Sequence, residues 1–522
     1  MHSIRELIDR QAANRPQALY ARAVGSGLEL TYGDLAARCR AFTGLLQGLG
    51  SQPGDHISVV MPNGLGTLVA LLGSLYGGWC VNPVNLLSQP EQMRYVLEHA
   101  DAGVVLVSPQ WESPVRVMAE SIGREMTLVV LDPDSLDLPA ASRSLQENAT
   151  RSPASQPSQR HAPPAVADAG DPADRLGLLM YTSGTTGKPK GVMLTQANLA
   201  ASAVAISTEH ALTAGDRVLA VLPLYHINAF AVTMLSPLAH GGSLAMPPRF
   251  SASAFWQQVA ESDCTWINLV PTMISYLLEA PAPPPEALAR LRFCRSASAS
   301  LPPEHHRAFE EKFGVGVIET MGLTETVAPS FSNPLPAAER RIGSVGRPSG
   351  CEAMIASLQG AALPDGETGE ILLRGPQVMK GYYKNDEATR ASFHPNGWLR
   401  TGDLGHRDPE GYFYVTGRIK ELIIKGGENI APREIDEAVL GHPAVLDAAA
   451  VGIPDRHYGQ EIMVCVVLRA GNSCTEEELR AYCTGTLGRY KTPSVIRFVA
   501  DLPRGPSGKV QRLKLLDLFS PT

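Results

Sequence analysis

Near the N-terminus, Leu35, Cys39, Phe42, Leu46 and Leu49 recur three or four residues apart, which predicts a helix with one apolar face. Gly48 and Gly50 stand at its end, where glycine commonly stops a helix. Short apolar runs follow at residues 57–61 (interrupted only by Ser58), 104–107 and 128–131, bounded by turn residues and separated by helical stretches. Strands apolar at every position are covered on both faces, so this alternation predicts an α/β architecture. Further strands are expected at 218–222, 266–270 and 315–318, and Thr195 is placed to cap a helix that starts at Gln196. Beyond about residue 420 the chain carries helices and strands of its own, with strands expected at 462–468 and 495–499. A tail of roughly a hundred residues is enough for a small separate domain.

Composition narrows the picture. A chain of 522 residues is too long for one core, so several domains or subdomains are expected. The stretch 151–174, rich in Pro, Ser, Ala and Asp, reads as a flexible surface linker. A net charge of −7 argues against nucleic acid as a partner. No run reaches the length of a membrane span, and the first residues lack the apolar core of a signal peptide; a cytoplasmic protein is expected. The eight cysteines are scattered without a CxxC pair, which predicts reduced thiols rather than a disulfide frame or zinc site.

The candidate chemistry centres on residues 181–191, YTSGTTGKPKG, which hold glycines, hydroxyls and two lysines but no acid. Glycines let backbone amides approach an anion, hydroxyls add donors and lysines neutralise charge. Ser183, Gly184, Thr185, Thr186, Gly187 and Lys188 therefore suit a polyphosphate. A Walker A loop is excluded, because that motif needs Ser or Thr straight after its lysine, and Pro189 follows Lys188.

This stretch resembles the signature loop of the adenylate-forming enzymes, the family of acyl-CoA synthetases, luciferases and peptide-synthetase adenylation domains. Five more blocks match in order: residues 321–325 (MGLTE), 401–404 (TGDL), 417–421 (GRIKE), 425–428 (KGGE) and 503–509 (PRGPSGK). The resemblance implies a large α/β N-terminal domain of several subdomains over 1–419 and a small mobile α+β C-terminal domain over 420–522. It also implies an AMP-forming acid–CoA ligase using ATP, Mg²⁺ and CoA. Thr182, Ser183, Gly184, Thr185, Thr186, Gly187, Lys188 and Lys190 would hold the β- and γ-phosphates. Thr324 would donate to the α-phosphate and Glu325 would bind Mg²⁺. Asp403 would accept from the ribose hydroxyls with help from Arg418. Lys509 would bridge the carboxylate and the α-phosphate. Lys420 would be the hinge about which the C-terminal domain swings, bringing Gly426, Gly427 and Glu428 to the CoA side. Met321 stands where the family usually has the tyrosine that packs on adenine; its thioether can cover a flat ring less rigidly.

Within the family, peptide-synthetase domains place an aspartate in the segment aligned with 223–229. Here His226 and Asn228 occupy it, which turns the expectation away from amino acids. His226 resembles the gate beside the acyl pocket. Stretches 248–256, 295–301 and 332–336 resemble sulfoacetate–CoA and oxalate–CoA ligases, and 82–88 resembles the sulfoacetate type. A short polar acid is therefore expected, sulfoacetate ahead of oxalate, since a second anion needs donors such as His226, Asn228 and the nearby serines. The alternatives are a medium-chain or aromatic acyl-CoA synthetase, an acyl-AMP ligase that loads a carrier protein, and a non-catalytic nucleotide-binding regulator. The regulator would be expected to have lost Lys509 or Glu325, and both are present.

Overall fold

The strand Val104–Val107 turns the predicted alternation into architecture. Val104 and Leu106 pack into one buried cluster and Val105 and Val107 into another, because successive strand side chains point to opposite faces. The computed structural model describes residues 2–138, 149–151, 171–182, 188–504 and 510–518. In it this strand belongs to an eight-stranded sheet, ordered Gly381–Tyr382, Lys190–Thr195, Leu176–Thr182, Cys80–Pro83, His56–Val60, Val104–Val107, Thr127–Val130 and Ala149–Arg151. Its inner strands are parallel. Helices Pro90–His99 and Pro109–Ile122 cover one face through Met93, Val96, Leu97 and Val115. Helices Tyr32–Gly48, Leu65–Gly77 and Gln196–Glu209 share the other cluster, which also includes Val218 and Leu244 of a second, nine-stranded sheet. One core thus joins both sheets.

In the second sheet, Arg217–Leu219, Trp266–Leu269, Phe293–Ser296 and Val317–Met321 are parallel neighbours. Their C-terminal ends lie along one edge, the edge at which open α/β sheets bind ligands. A four-stranded antiparallel sheet follows, Glu352–Ala356, Gly369–Arg374, Leu399–Arg407 and Phe413–Arg418. The small C-terminal domain has a sheet of its own, built on the long hairpin Val445–Asp455 and Gly459–Leu468. Ala448, Ala450, Val464 and Val466 face helices Pro432–Leu440 and Glu476–Lys491. Ala449, Val451, Met463 and Cys465 face Leu515 of the short turn Arg512–Leu518.

The predicted elements are present, with shifted ends. The helix foreseen from Leu35 starts at Tyr32, after a capping box between Thr31 and Asp34. Its last residue is Gly48, and Gly50 takes a left-handed φ of 80°. Thr195 caps its helix: the Asn198 amide donates to Thr195 Oγ1 at 3.1 Å, and the Thr195 amide to Asn198 Oδ1 at 2.9 Å. The strand expected at 315–318 runs from Val317 to Met321. The stretch read as a flexible linker is ordered at both ends. Arg151 pairs with Thr127, and Pro172–Asp174 forms a 3-10 turn capped by Asp171, with Ala173 buried. Residues 152–170 lie outside the described residues. All eight cysteines are free thiols, most of them buried. Among the described residues no helix is long and apolar enough to cross a membrane.

Candidate active site

The glycine-rich stretch falls between two paired antiparallel strands. Leu176–Thr182 pairs with Lys190–Thr195, and Thr182 lies directly opposite Lys190. Ser183, Gly184, Thr185, Thr186 and Gly187 fall outside the described residues. The flanking lysines are steered by aromatic rings: Lys188 Nζ sits 5.4 Å from the centre of Tyr95, and Lys190 Nζ 4.9 Å from that of Tyr382. The ring faces attract the ammonium groups. Tyr382 also donates its hydroxyl to Glu325 Oε1 at 2.8 Å. One tyrosine therefore ties the hairpin to the MGLTE block. Burial, and then the charge of Glu325, push its phenol well above the usual range.

Thr324 and Glu325 lie on a single 3-10 turn, Thr324–Thr326, just past the strand Val317–Met321. The Met379 amide donates to the Glu325 carbonyl at 2.8 Å. Gly322 is required there by close approach: a Cβ would come within 2.7 Å of Ala328. Met321 packs on the cluster of Phe331 and Phe413.

Asp403 and Arg418 face each other across the hairpin of the antiparallel sheet, with Nε to Oδ1 at 2.8 Å. Asp403 is buried, and its charge holds the Arg418 guanidinium above its ordinary value. Directly after Arg418, the turn Ile419–Glu421 carries Lys420, which is exposed. Gly426, Gly427 and Glu428 form an exposed hairpin tip, the glycines at φ of 55° and 88°. The neighbouring Lys425 turns inward. Its ammonium meets Glu461 Oε1 and the Tyr490 carbonyl at 2.8 Å each, between the Tyr458 and Tyr490 rings. Lys425 thus anchors the tip that the sequence showed only as a motif. Lys509 lies outside the described residues; on either side of residues 505–509 Arg504 and Val510 form an antiparallel bridge, and Arg504 pairs with Asp447.

Asn63 braces the segment that holds His226: its Nδ2 donates to the Leu222 carbonyl at 3.0 Å, and its Oδ1 accepts from the Leu224 amide at 2.9 Å. His226 lies edge-on to Tyr225, with ring centres 4.8 Å apart. Asn228 begins the π-helical stretch Asn228–Leu235. Its Oδ1 accepts from Arg295 Nη1 at 2.8 Å and from Asn268 Nδ2 at 3.2 Å, and its Nδ2 donates to Ser298 Oγ at 3.2 Å. Arg295 Nη1 also donates to Asn268 Oδ1 at 2.8 Å. Arg295 and Asn268 are register partners on adjacent parallel strands. From the sequence, Asn228 and the serines are candidates for the pocket, Arg295 figures only as the first residue of the stretch 295–301 with no role of its own, and Tyr382 does not figure. Nothing local marks Tyr382, and an arginine in a strand ordinarily reads as a solvated charge.

Two family models match the chain: the AMP-binding enzyme model over residues 8–383 and the AMP-binding enzyme C-terminal domain over 434–509. Sulfoacetate–CoA ligase of Cupriavidus necator is 55% identical over 511 residues, 98% of this chain and 97% of that protein. Oxalate–CoA ligase of Arabidopsis thaliana is 37% identical over 480 residues, covering 91% and 90%. Among solved structures, ATP-bound MatB from Rhodopseudomonas palustris superposes with a TM-score of 0.87 at 28% identity, over 98% of each chain.

Proposed function

The chain belongs to the AMP-binding enzyme family and is an AMP-forming acid–CoA ligase, and we propose that its acid is short and carries a second anionic group, sulfoacetate ahead of oxalate. In the first half-reaction a carboxylate oxygen attacks the α-phosphorus of ATP; the bond to the bridging oxygen breaks, and pyrophosphate leaves with its electron pair. In the second, the sulfur of CoA attacks the acyl carbon; the bond to the phosphate oxygen breaks, AMP leaves and the thiol proton passes to solvent.

The first step gathers negative charge around phosphorus, so it needs fixed cations and donors. In this reading Thr182, Lys188, Lys190 and the residues 183–187 between them hold the terminal phosphates, and Thr324 donates at the α-phosphate. Asp403, held by Arg418, accepts from the ribose hydroxyls. Lys509 neutralises the reacting oxygens. Lys420 is the pivot that later replaces Lys509 with the tip Gly426, Gly427 and Glu428. Glu325 is suited to Mg²⁺. One of its oxygens accepts from Tyr382, the carboxylate is a hard oxygen donor, and among the described residues no cluster of three or more candidate ligands forms a protein cage. That matches a cation usually held by one or two carboxylates plus substrate phosphates. When bound, Mg²⁺ would supply charge neutralisation on the phosphate oxygens.

The observation that carries the acid assignment is the likeness of nearly the whole chain to a sulfoacetate–CoA ligase. The amide-rich surroundings of Asn228 support it, since they suit a polar acid better than a fatty chain. The test is AMP release by the purified protein with ATP, Mg²⁺ and CoA against sulfoacetate, oxalate, malonate, acetate, benzoate and a medium-chain fatty acid. Sulfoacetate should give the highest kcat/KM. A preference for acetate, benzoate or the fatty acid would overturn the assignment.

A further inference from the structure

Arg295 is one of the largest fully buried side chains in the protein, with 1% of its surface exposed. A buried arginine is ordinarily held by a carboxylate, because an uncompensated charge in the interior is expensive. Among the described residues no Asp or Glu comes within ion-pairing distance of it. Its partners are two neutral amide oxygens, both on Nη1. Its Nε is buried without a hydrogen-bond partner. Guanidinium groups carry donors in a fixed fork suited to carboxylates and similar oxyanions. Burial without a counter-charge pulls this guanidinium down to about 9.

The location gives this cation a purpose. Arg295 is the penultimate residue of Phe293–Ser296, at the C-terminal edge of the parallel strands. Asn228 connects it to Ser298, whose left-handed φ of 74° turns the chain just past that edge. His226 lies two residues before Asn228 in the segment that Asn63 fixes. The neutral amides hold the guanidinium in place while leaving its charge uncancelled. Asp in place of Asn228 would cancel it.

We propose that Arg295, held by Asn228 and Asn268, is the specificity-determining group that receives the second anionic group of the acid, a sulfonate or second carboxylate. This rests on the acid assignment above and names the residue that enforces it. The acid's own anion completes the buried charge pair, so a neutral acid of the same size leaves the cation uncompensated and is rejected. Discrimination of this kind is strong wherever a missing partner leaves a buried polar group unpaired.

The test compares sulfoacetate with methylsulfonylacetate, which keeps the sulfonyl group but has a methyl in place of the anionic oxygen, by kcat/KM in the wild-type protein and in Arg295→Met and Asn228→Asp. The wild type should favour sulfoacetate, and Arg295→Met should lower that preference by about a hundredfold or more, the scale of a lost buried charge contact. Arg295→Lys should recover part of it. Asn228→Asp places a carboxylate where the amide oxygen lies, and it should lower the same preference even if Arg295→Met folds poorly by its melting temperature. A wild type that favours neutral acids removes the acid assignment and this inference together. A wild type that favours dianions, with the preference unchanged in the two charge-altering variants, removes this inference alone.

Discussion

Tyr382, 57 residues from Glu325 in the sequence, joins that carboxylate to Lys190. Its ring supports Lys190 and its hydroxyl orients Glu325, so one side chain coordinates the lysine proposed to hold phosphate with the carboxylate proposed for Mg²⁺. Tyr382→Phe keeps the ring and removes only the hydrogen bond. A bond to a charged acceptor contributes about 1.5–3 kcal/mol, so the Mg²⁺ concentration needed for half-maximal pyrophosphate exchange should rise roughly tenfold or more. Glu325→Ala should raise it further. Unchanged Mg²⁺ dependence in both variants would remove the assigned role of Glu325. Arg295 makes the complementary point: its chemistry comes from what surrounds it, two amides and, among the described residues, no acid.

At the scale of elements, legibility followed periodicity. Val104–Val107 could be read as a doubly covered strand because all four positions are apolar, and each face has its own cluster. The Thr195 cap was legible because the bonds that make it span only three residues. The ends of strands were harder. Val315 is apolar and buried, yet the strand starts at Val317, because pairing with the neighbouring strand decides where a ladder begins. Asn228–Leu235 is an almost wholly apolar run whose π-helical winding leaves no periodic trace. The site divided in the same way. The glycine-rich loop and the TGD block are contiguous and could be read as motifs. The cluster of Asn228, Asn268, Arg295 and Ser298 is assembled by sheet register between separate segments, which single-sequence patterns do not encode.

At the scale of the whole molecule, two cores divide the work. The large domain presents the sheet edge, the glycine-rich hairpin and the cluster around Asn228 and Arg295; the small one carries Lys509 and the tip at Gly426 and Gly427. The turn Ile419–Glu421 lies between them, and Glu421 is tied to the C-terminal domain through Arg512 at 3.3 Å. A few residues at an element end can absorb a domain rotation. If Lys509 serves adenylation only, Lys509→Ala should slow adenylate formation by about a hundredfold or more, the usual cost of losing a group that stabilises transition-state charge. Thioester formation from supplied acyl adenylate should keep most of its rate. Equal loss in both half-reactions would contradict a swing between two catalytic arrangements.

The attack of the acid's own oxygen on the α-phosphorus is best followed by labelling that oxygen. Sulfoacetate carrying heavy oxygen in its carboxylate, turned over with ATP, Mg²⁺ and CoA, should deliver one labelled oxygen to the AMP released and leave the other in the thioester. Label recovered in orthophosphate beside ADP, or AMP released without label, would contradict the account.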